Sequence, residues 1–179
     1  QTRTFSNAAR TKTNATVAAH IVRLDGVINS AFTFTATSAN ALLSQTVTSA
    51  SATRCGSVNI KRGVGSGAVS LSVDGGTTYT DITAQLSTTL WAREFVSQAA
   101  VTNPTFVVKL ATSGDTVIID QAQLESLAFP TLPIITTAAQ VSASRDLISC
   151  LSSLLNFNES EGTIVLGIHS NPGASGATA

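Results

Sequence analysis

The stretch from Arg62 to Ile82, RGVGSGAVSLSVDGGTTYTDI, constrains the fold more than any other part of this chain. Val69, Leu71 and Val73 alternate with Ser70, Ser72 and Asp74, which is the two-residue period of a half-buried strand. Asp74-Gly75-Gly76 supplies the left-handed backbone of a two-residue hairpin turn, and Thr77, Thr78, Tyr79 and Thr80 open a return strand of β-favouring residues. The chain is therefore expected to be built from antiparallel hairpins.

Further segments repeat the pattern. His20 to Leu24, Ala31 to Ala36, Gln45 to Thr48, Cys55 to Lys61, Phe106 to Leu110 and Thr116 to Leu124 read as strands, with Phe32 and Phe34 on one side of the second. Thr88 to Val96 carries the only tryptophan, and Trp91, Phe95 and Val96 read as a core strand. Asn103-Pro104 and Ser113-Gly114-Asp115 are turn signals. Short strands recurring about every ten residues indicate an all-β sandwich, and 179 residues suffice for one such core with part of a second.

The ends read differently. Gln1 to Ala19 is rich in Thr, Asn and Ala and reads as an extended arm or a weak first strand. Leu127 to Thr137 contains Pro130 and Pro133, which hold the backbone extended and cannot donate to a central sheet, so it is expected to run along an edge or leave the domain. The expected organisation is an N-terminal arm (1–19), a sandwich (20–137), a linker (138–147) and a partial second β-domain or tail (148–179), where Gly162 to Ile168 reads as a buried strand. The first residue is Gln1 and no signal segment precedes it, so a processed chain or part of a longer polypeptide is expected.

Composition excludes several functions. Only 11% of residues are charged, against roughly a quarter in an average domain, and ten basic residues cancel ten acidic ones. No long-range field gathers nucleic acid or anionic lipid, and no apolar run is long enough to predict a membrane helix. Cys55 and Cys150 are too few for a disulfide scaffold and lack metal-ligand spacing; two buried free thiols are expected ahead of a disulfide. His20 and His169 lie at opposite ends, and no serine sits in a nucleophile elbow, so an enzyme is not expected. Gly63, Gly65 and Gly67 precede a strand rather than a helix, with no Lys-Ser or Lys-Thr after them, and read as a flexible turn.

The succession KRGVGSGAVSLSVDGGTTYTDI, LWAREFVSQ and NPTFVVKLATSGDTVIIDQAQLESLAFPTLPIITT, then Ser144-Arg145-Asp146, resembles a module of bacteriophage tail-fibre and other virion structural proteins. The resemblance runs from about Asp25 to Asp146. It implies a carbohydrate-binding-like jelly roll whose last strand closes with Gln123-Leu124-Glu125, followed by a Pro/Thr-rich exit. Glu161 to Val165 is similar to the opening strand of a laminin-G-like or concanavalin-like sandwich. With one Trp and one Tyr, a sugar-stacking platform is poorly supplied.

Two functional expectations result. The first is a non-enzymatic structural component of a phage particle, a tail fibre or capsid decoration on the virion exterior. It would assemble with other virion proteins and with copies of itself, for a fibre as a trimer, through Arg3, Phe5, Phe129, Pro130, Pro133 and Ile134. The alternative is a module binding host-surface or environmental glycan through Tyr79, Asp81 and Asp120, although Tyr79 reads first as a cross-strand partner on its hairpin. No cofactor is expected beyond a structural calcium, for which Asp115 and Asp120 are the candidate carboxylates. Asp120 draws attention because a carboxylate inside an apolar strand must be paired, liganded or at an edge.

Overall fold

The structure is a computed structural model in which residues 5–22, 28–134 and 136 are described. Ten strands form two antiparallel sheets: β1 (Thr11–Thr13), β2 (Ala15–Val22), β3 (Ile28–Ala36), β4 (Ala41–Thr46), β5 (Ala52–Arg62), β6 (Val69–Ser72), β7 (Thr80–Asp81), β8 (Ala92–Val101), β9 (Thr105–Leu110) and β10 (Thr116–Glu125). The first sheet runs β1-β4-β9-β6-β7 and the second β2-β3-β10-β5-β8. One 3-10 turn, Thr83–Gln85, is the only helical element among the described residues, and no described helix is long and apolar enough to cross a membrane. The expected all-β antiparallel jelly-roll sandwich is what the chain forms.

The period of two places the core. Leu43, Val108 and Leu71 pair in one row across the first sheet, and Phe32, Ile119 and Ile60 pair in one row across the second. All six are buried members of one hydrophobic cluster. Leu42 and Ser44 on β4, one residue out of phase, are half-exposed. Burying such a side chain contributes about 1.5–3 kcal/mol, so a one-residue slip of any strand would forfeit its whole inner file.

Of the two readings of the N-terminal segment, the strand is the one found. β1 pairs with β4 and β2 with β3, so the chain enters both sheets before residue 19. Phe5 is fully buried in the core. It lies 5.7 Å from Phe32, ring centre to ring centre, with the Arg10 guanidinium 4.3 Å above it. Burial pushes the Arg10 pKa down to about 10, which leaves it charged at neutral pH.

The β6–β7 hairpin is wider than a two-residue turn. Leu71 pairs with Thr80 and Ser70 with Asp81, so residues 73–79 form the connection. Gly75 and Gly76 do take positive φ, at 74° and 92°. What opens the loop is Asp74, whose carboxylate accepts from the Thr78 N–H at 3.0 Å and from the Ser72 and Thr78 hydroxyls at 2.7 Å. Its backbone meanwhile bridges to Thr105 of β9, so local side-chain bonds replace the ladder there.

The domain boundaries expected at 137 and beyond, Cys150 and the segments from 138 to 179 lie outside the described residues.

Candidate functional site

The edge strand β8 and the residue before it place two accessible aromatic rings on one file. Its register pairs Ala92 with Ile60, Glu94 with Val58 and Val96 with Gly56, which turns Val96 into the core. Arg93, Phe95 and Ser97 therefore face away from the core, and Trp91, one residue ahead of the strand, continues the file. The Lys61 ammonium stands 5.4 Å from the centre of the Trp91 ring, a cation–π distance. Phe95 is 45% exposed and Trp91 half-exposed. The sequence reading of Trp91 and Phe95 as core residues is thus corrected: Phe95 and Val96 are neighbours, so only one of them points inward, and Val96 does.

Arg93 sits between the two rings and donates from Nη2 to Ser57 Oγ at 3.1 Å. Its Nε is buried without a hydrogen-bond partner. Burial lowers its pKa, against the opposing pull of Glu125 and Cys55. Cys55, buried and free, is pushed up to about 11 by burial, then by Glu125, with Arg93 opposing. It stays a protonated thiol at neutral pH and is not a nucleophile.

Inward of this ledge the same outer face carries buried polar groups. Ser57 is fully buried, and Asn59 and Gln121 nearly so. A register shift between Asp120 and Gln123 marks a β-bulge, with Gln121 at φ 49°. The bulge turns the Gln121 amide so that its Oε1 accepts from Asn59 Nδ2 at 2.9 Å, while its N–H donates to Asp120 Oδ1 at 2.8 Å. Bulges re-aim side chains in this manner.

Past β10 the chain folds back across that face. Glu125 accepts from the Thr131 N–H at 3.0 Å and from its hydroxyl. Gln123 Oε1 accepts from the Ile134 N–H at 2.7 Å. Because β10 is a central strand, the exit segment crosses a sheet face rather than running along an edge. Leu127, Phe129 and Leu132 are exposed on it, Leu132 at 85%, whereas Pro130, Pro133 and Ile134 are half-buried.

The residues singled out from the sequence do not converge. Asp81 lies on β7 of the first sheet with Tyr79 in the connection before it, and Asp120 is fully buried in the second. Tyr79 is half-buried, with the Lys109 ammonium 4.8 Å from its ring centre; burial and then Asp74 raise its pKa. Asp81 is exposed and accepts from the Thr83 N–H at 2.7 Å. Asp115 and Asp120 are five positions apart along extended backbone, about 17 Å, too far to share an ion. Asp115 instead accepts from the Gly67 N–H at 2.8 Å and faces Arg62. No group of three His, Cys, Asp or Glu able to hold a metal occurs among the described residues. Phe5 is a core residue and cannot be an assembly contact; Arg3 lies outside the described residues.

A concave feature lies at one end of the sandwich, a shallow cavity of about 290 Å³ lined by Asp74, Thr77, Gln98, Val101, Asn103 and Thr105, among others. Its carboxylate is already committed. Partial burial pushes the Asp74 carboxyl up, but the Thr78 N–H, the Ser72 and Thr78 hydroxyls and the Gln98 amide outweigh this and hold it well below the usual carboxylate range.

No family model matches the sequence, and no curated protein matches it. Solved structures do resemble the fold. The CBM22-1 xylan-binding domain of Paenibacillus barcinonensis Xyn10C is similar at a TM-score of 0.51 and 12% identity, over 73% of this chain and 95% of that one. A family 35 carbohydrate-binding module from Clostridium thermocellum is similar at 0.47 and 12%, over 66% and 92%. The enzymatically active domain of tailspike protein 4 from bacteriophage CBA120 is similar at 0.45 and 10%, over 70% and 20%. The likeness to the CBM22-1 domain agrees with the jelly-roll sandwich that the two sheets form.

Proposed function

We propose that this chain is a non-enzymatic glycan-binding module whose ligand lies along the ledge of Trp91, Arg93 and Phe95. The observation that carries this reading is the placement of two accessible aromatic rings on one outward file of an edge strand. Four positions apart, they are separated by about 13 Å, a span suited to an extended oligosaccharide rather than a single sugar. An aromatic ring offers an apolar face to the C–H face of a pyranose, and Arg93 between the rings offers hydrogen-bond donors to ring substituents. The likeness in fold to a xylan-binding domain agrees with this use. For a non-enzymatic role speaks the dispersal of the carboxylates: Asp74 and Asp81 accept hydrogen bonds from their own loops, Asp115 from Gly67 and Glu125 from the exit segment.

Retention on polysaccharide gels tests the reading. Trp91→Ala and Phe95→Ala should each weaken retention about tenfold, the scale of a buried aromatic contact, with unchanged thermal melts. Full retention by the double variant would overturn it.

A second reading, assembly into a phage particle at the virion exterior with copies of itself or neighbouring virion proteins, is favoured by the exposed Leu127, Phe129 and Leu132 on the exit segment. Incorporation into particles of a chain carrying Ser at all three positions tests it; wild-type incorporation counts against this role.

A further inference from the structure

The charges beside the rings define the ligand more narrowly. On the two outward files that form the ledge, β8 contributes Trp91, Arg93, Phe95 and Ser97, and β5 contributes Lys61, Asn59, Ser57 and Cys55. These files hold two cations and no carboxylate, in a chain whose charges otherwise cancel. Of the acidic groups of the next strand, Glu125 reaches Arg93 electrostatically but spends its hydrogen bonds elsewhere. Asp120 is fully buried, and Glu125 is turned to Thr131 of the exit segment.

The two cations are also placed for a ligand. Lys61 lies over one side of the Trp91 ring, which puts an ammonium there beside a sugar stacked on the other side. Arg93 spends one Nη on Ser57, and its Nε has no acceptor in the protein. With Nε buried out of a ligand's reach, the half-exposed guanidinium can meet an oxyanion only with its outer N–H groups, whose charge-assisted bonds are about twice as strong as neutral ones.

We infer that the ledge selects an acidic polysaccharide, with Arg93 and Lys61 bonding a sugar carboxylate or sulfate while Trp91 and Phe95 stack on the rings. This rests on the glycan-binding reading above and adds the class of sugar. Two cations are too few for the basic track that a nucleic acid needs, which sets polynucleotides aside as the leading ligand.

Trp91 is the only tryptophan, so intrinsic fluorescence of the full chain reports on the site itself. Titration with oligogalacturonate is compared with neutral xylo-oligosaccharide and with single-stranded oligonucleotide, at low and at raised salt. The expected result is saturable quenching by oligogalacturonate, at least about tenfold tighter than by the neutral sugar and weakened by salt. Arg93→Gln should weaken binding of the acidic sugar at least about tenfold more than binding of the neutral one. Lys61→Gln, a change at the ledge rim, should reduce the preference without depending on the fold around Ser57. Equal affinity for neutral and acidic sugars would overturn the charge inference and leave glycan binding standing. Binding of neither sugar would overturn both, and tighter binding of the oligonucleotide would overturn the ligand class.

Discussion

Asp115 Oδ2 lies 3.6 Å from Arg62 Nη1, with both side chains more than nine-tenths buried. The pair is closed by the glycine-rich loop, since the Gly67 N–H donates to Asp115 at 2.8 Å and Arg62 Nη2 donates to the Gly67 carbonyl at 2.9 Å. The run of glycines that superficially suggests a phosphate loop thus wraps an internal ion pair. Removing one partner strands a buried charge. Asp115→Asn should lower the unfolding free energy by about 3 kcal/mol, and replacing both partners by apolar residues should cost less than either single change, as denaturant melts of the four chains would show. Gly65→Ala should also destabilise, because Gly65 has φ 89° and its added Cβ would overlap the Asp115 carboxylate.

Asp74 predicts an acid-sensitive step. Its carboxyl is held below the usual range in the folded chain, net of the opposing effect of burial, whereas the unfolded value is about 3.9. A depressed folded pKa contributes stability that is present above the unfolded value and lost as pH falls through it toward the folded one. Melting temperature recorded from pH 7 to pH 2 should therefore drop below about pH 4 in the wild type, and part of that drop should be missing in Asp74→Asn. Identical acid limbs for the two chains would contradict the assignment.

Tyr79 separates packing from recognition. Its hydroxyl would come within 2.5 Å of a Cβ added at Gly76, and Lys109 covers its ring, so the side chain holds the 73–79 loop against the first sheet. Tyr79→Ala should cost about 1–2 kcal/mol and leave glycan retention unchanged. Gly76→Ala should cost more than Gly75→Ala, because both glycines have positive φ but only Gly76 lacks room. Loss of retention in a folded Tyr79→Ala chain would return the site to this hairpin.

Alternation made the fold legible: Phe32 and Phe34, or Val69, Leu71 and Val73, need no tertiary information to be placed on one buried side. The ledge was harder to read because a run such as Trp91-Ala92-Arg93-Glu94-Phe95-Val96 offers two phases, and apolar character alone assigns all three of its large side chains to the core. Arg93 in phase with Trp91 and Phe95 was the available signal. Phe5 lay beyond sequence reasoning for a different reason: its partner Phe32 is distant in the chain, and three basic residues nearby make the segment look solvated. Asp115 and Asp120 resembled an ion site only while strand length was ignored.

The exit segment yields the last expectation. Glu125 and Thr131 form two bonds, N–H and hydroxyl to one carboxylate, and Gln123 adds bonds to Thr131, Leu132 and Ile134. Exposed Leu127, Phe129 and Leu132 are offered outward, so only the half-buried Pro130, Pro133 and Ile134 share with these polar bonds in holding the segment down. At about 1 kcal/mol each, the bonds formed by Glu125 make up much of the attachment. Glu125→Ala should leave the melting of the sandwich nearly unchanged, since β10 remains paired on both sides, while chymotrypsin cleavage after Leu127, the one of the three exposed residues not followed by proline, becomes several-fold faster. Thr131→Val, which keeps the N–H and removes only the hydroxyl, should fall between the two chains. If cleavage were equally slow in all three, the segment would be held by something other than this clamp, and its apolar side chains would have to be searched for contacts that bind it down.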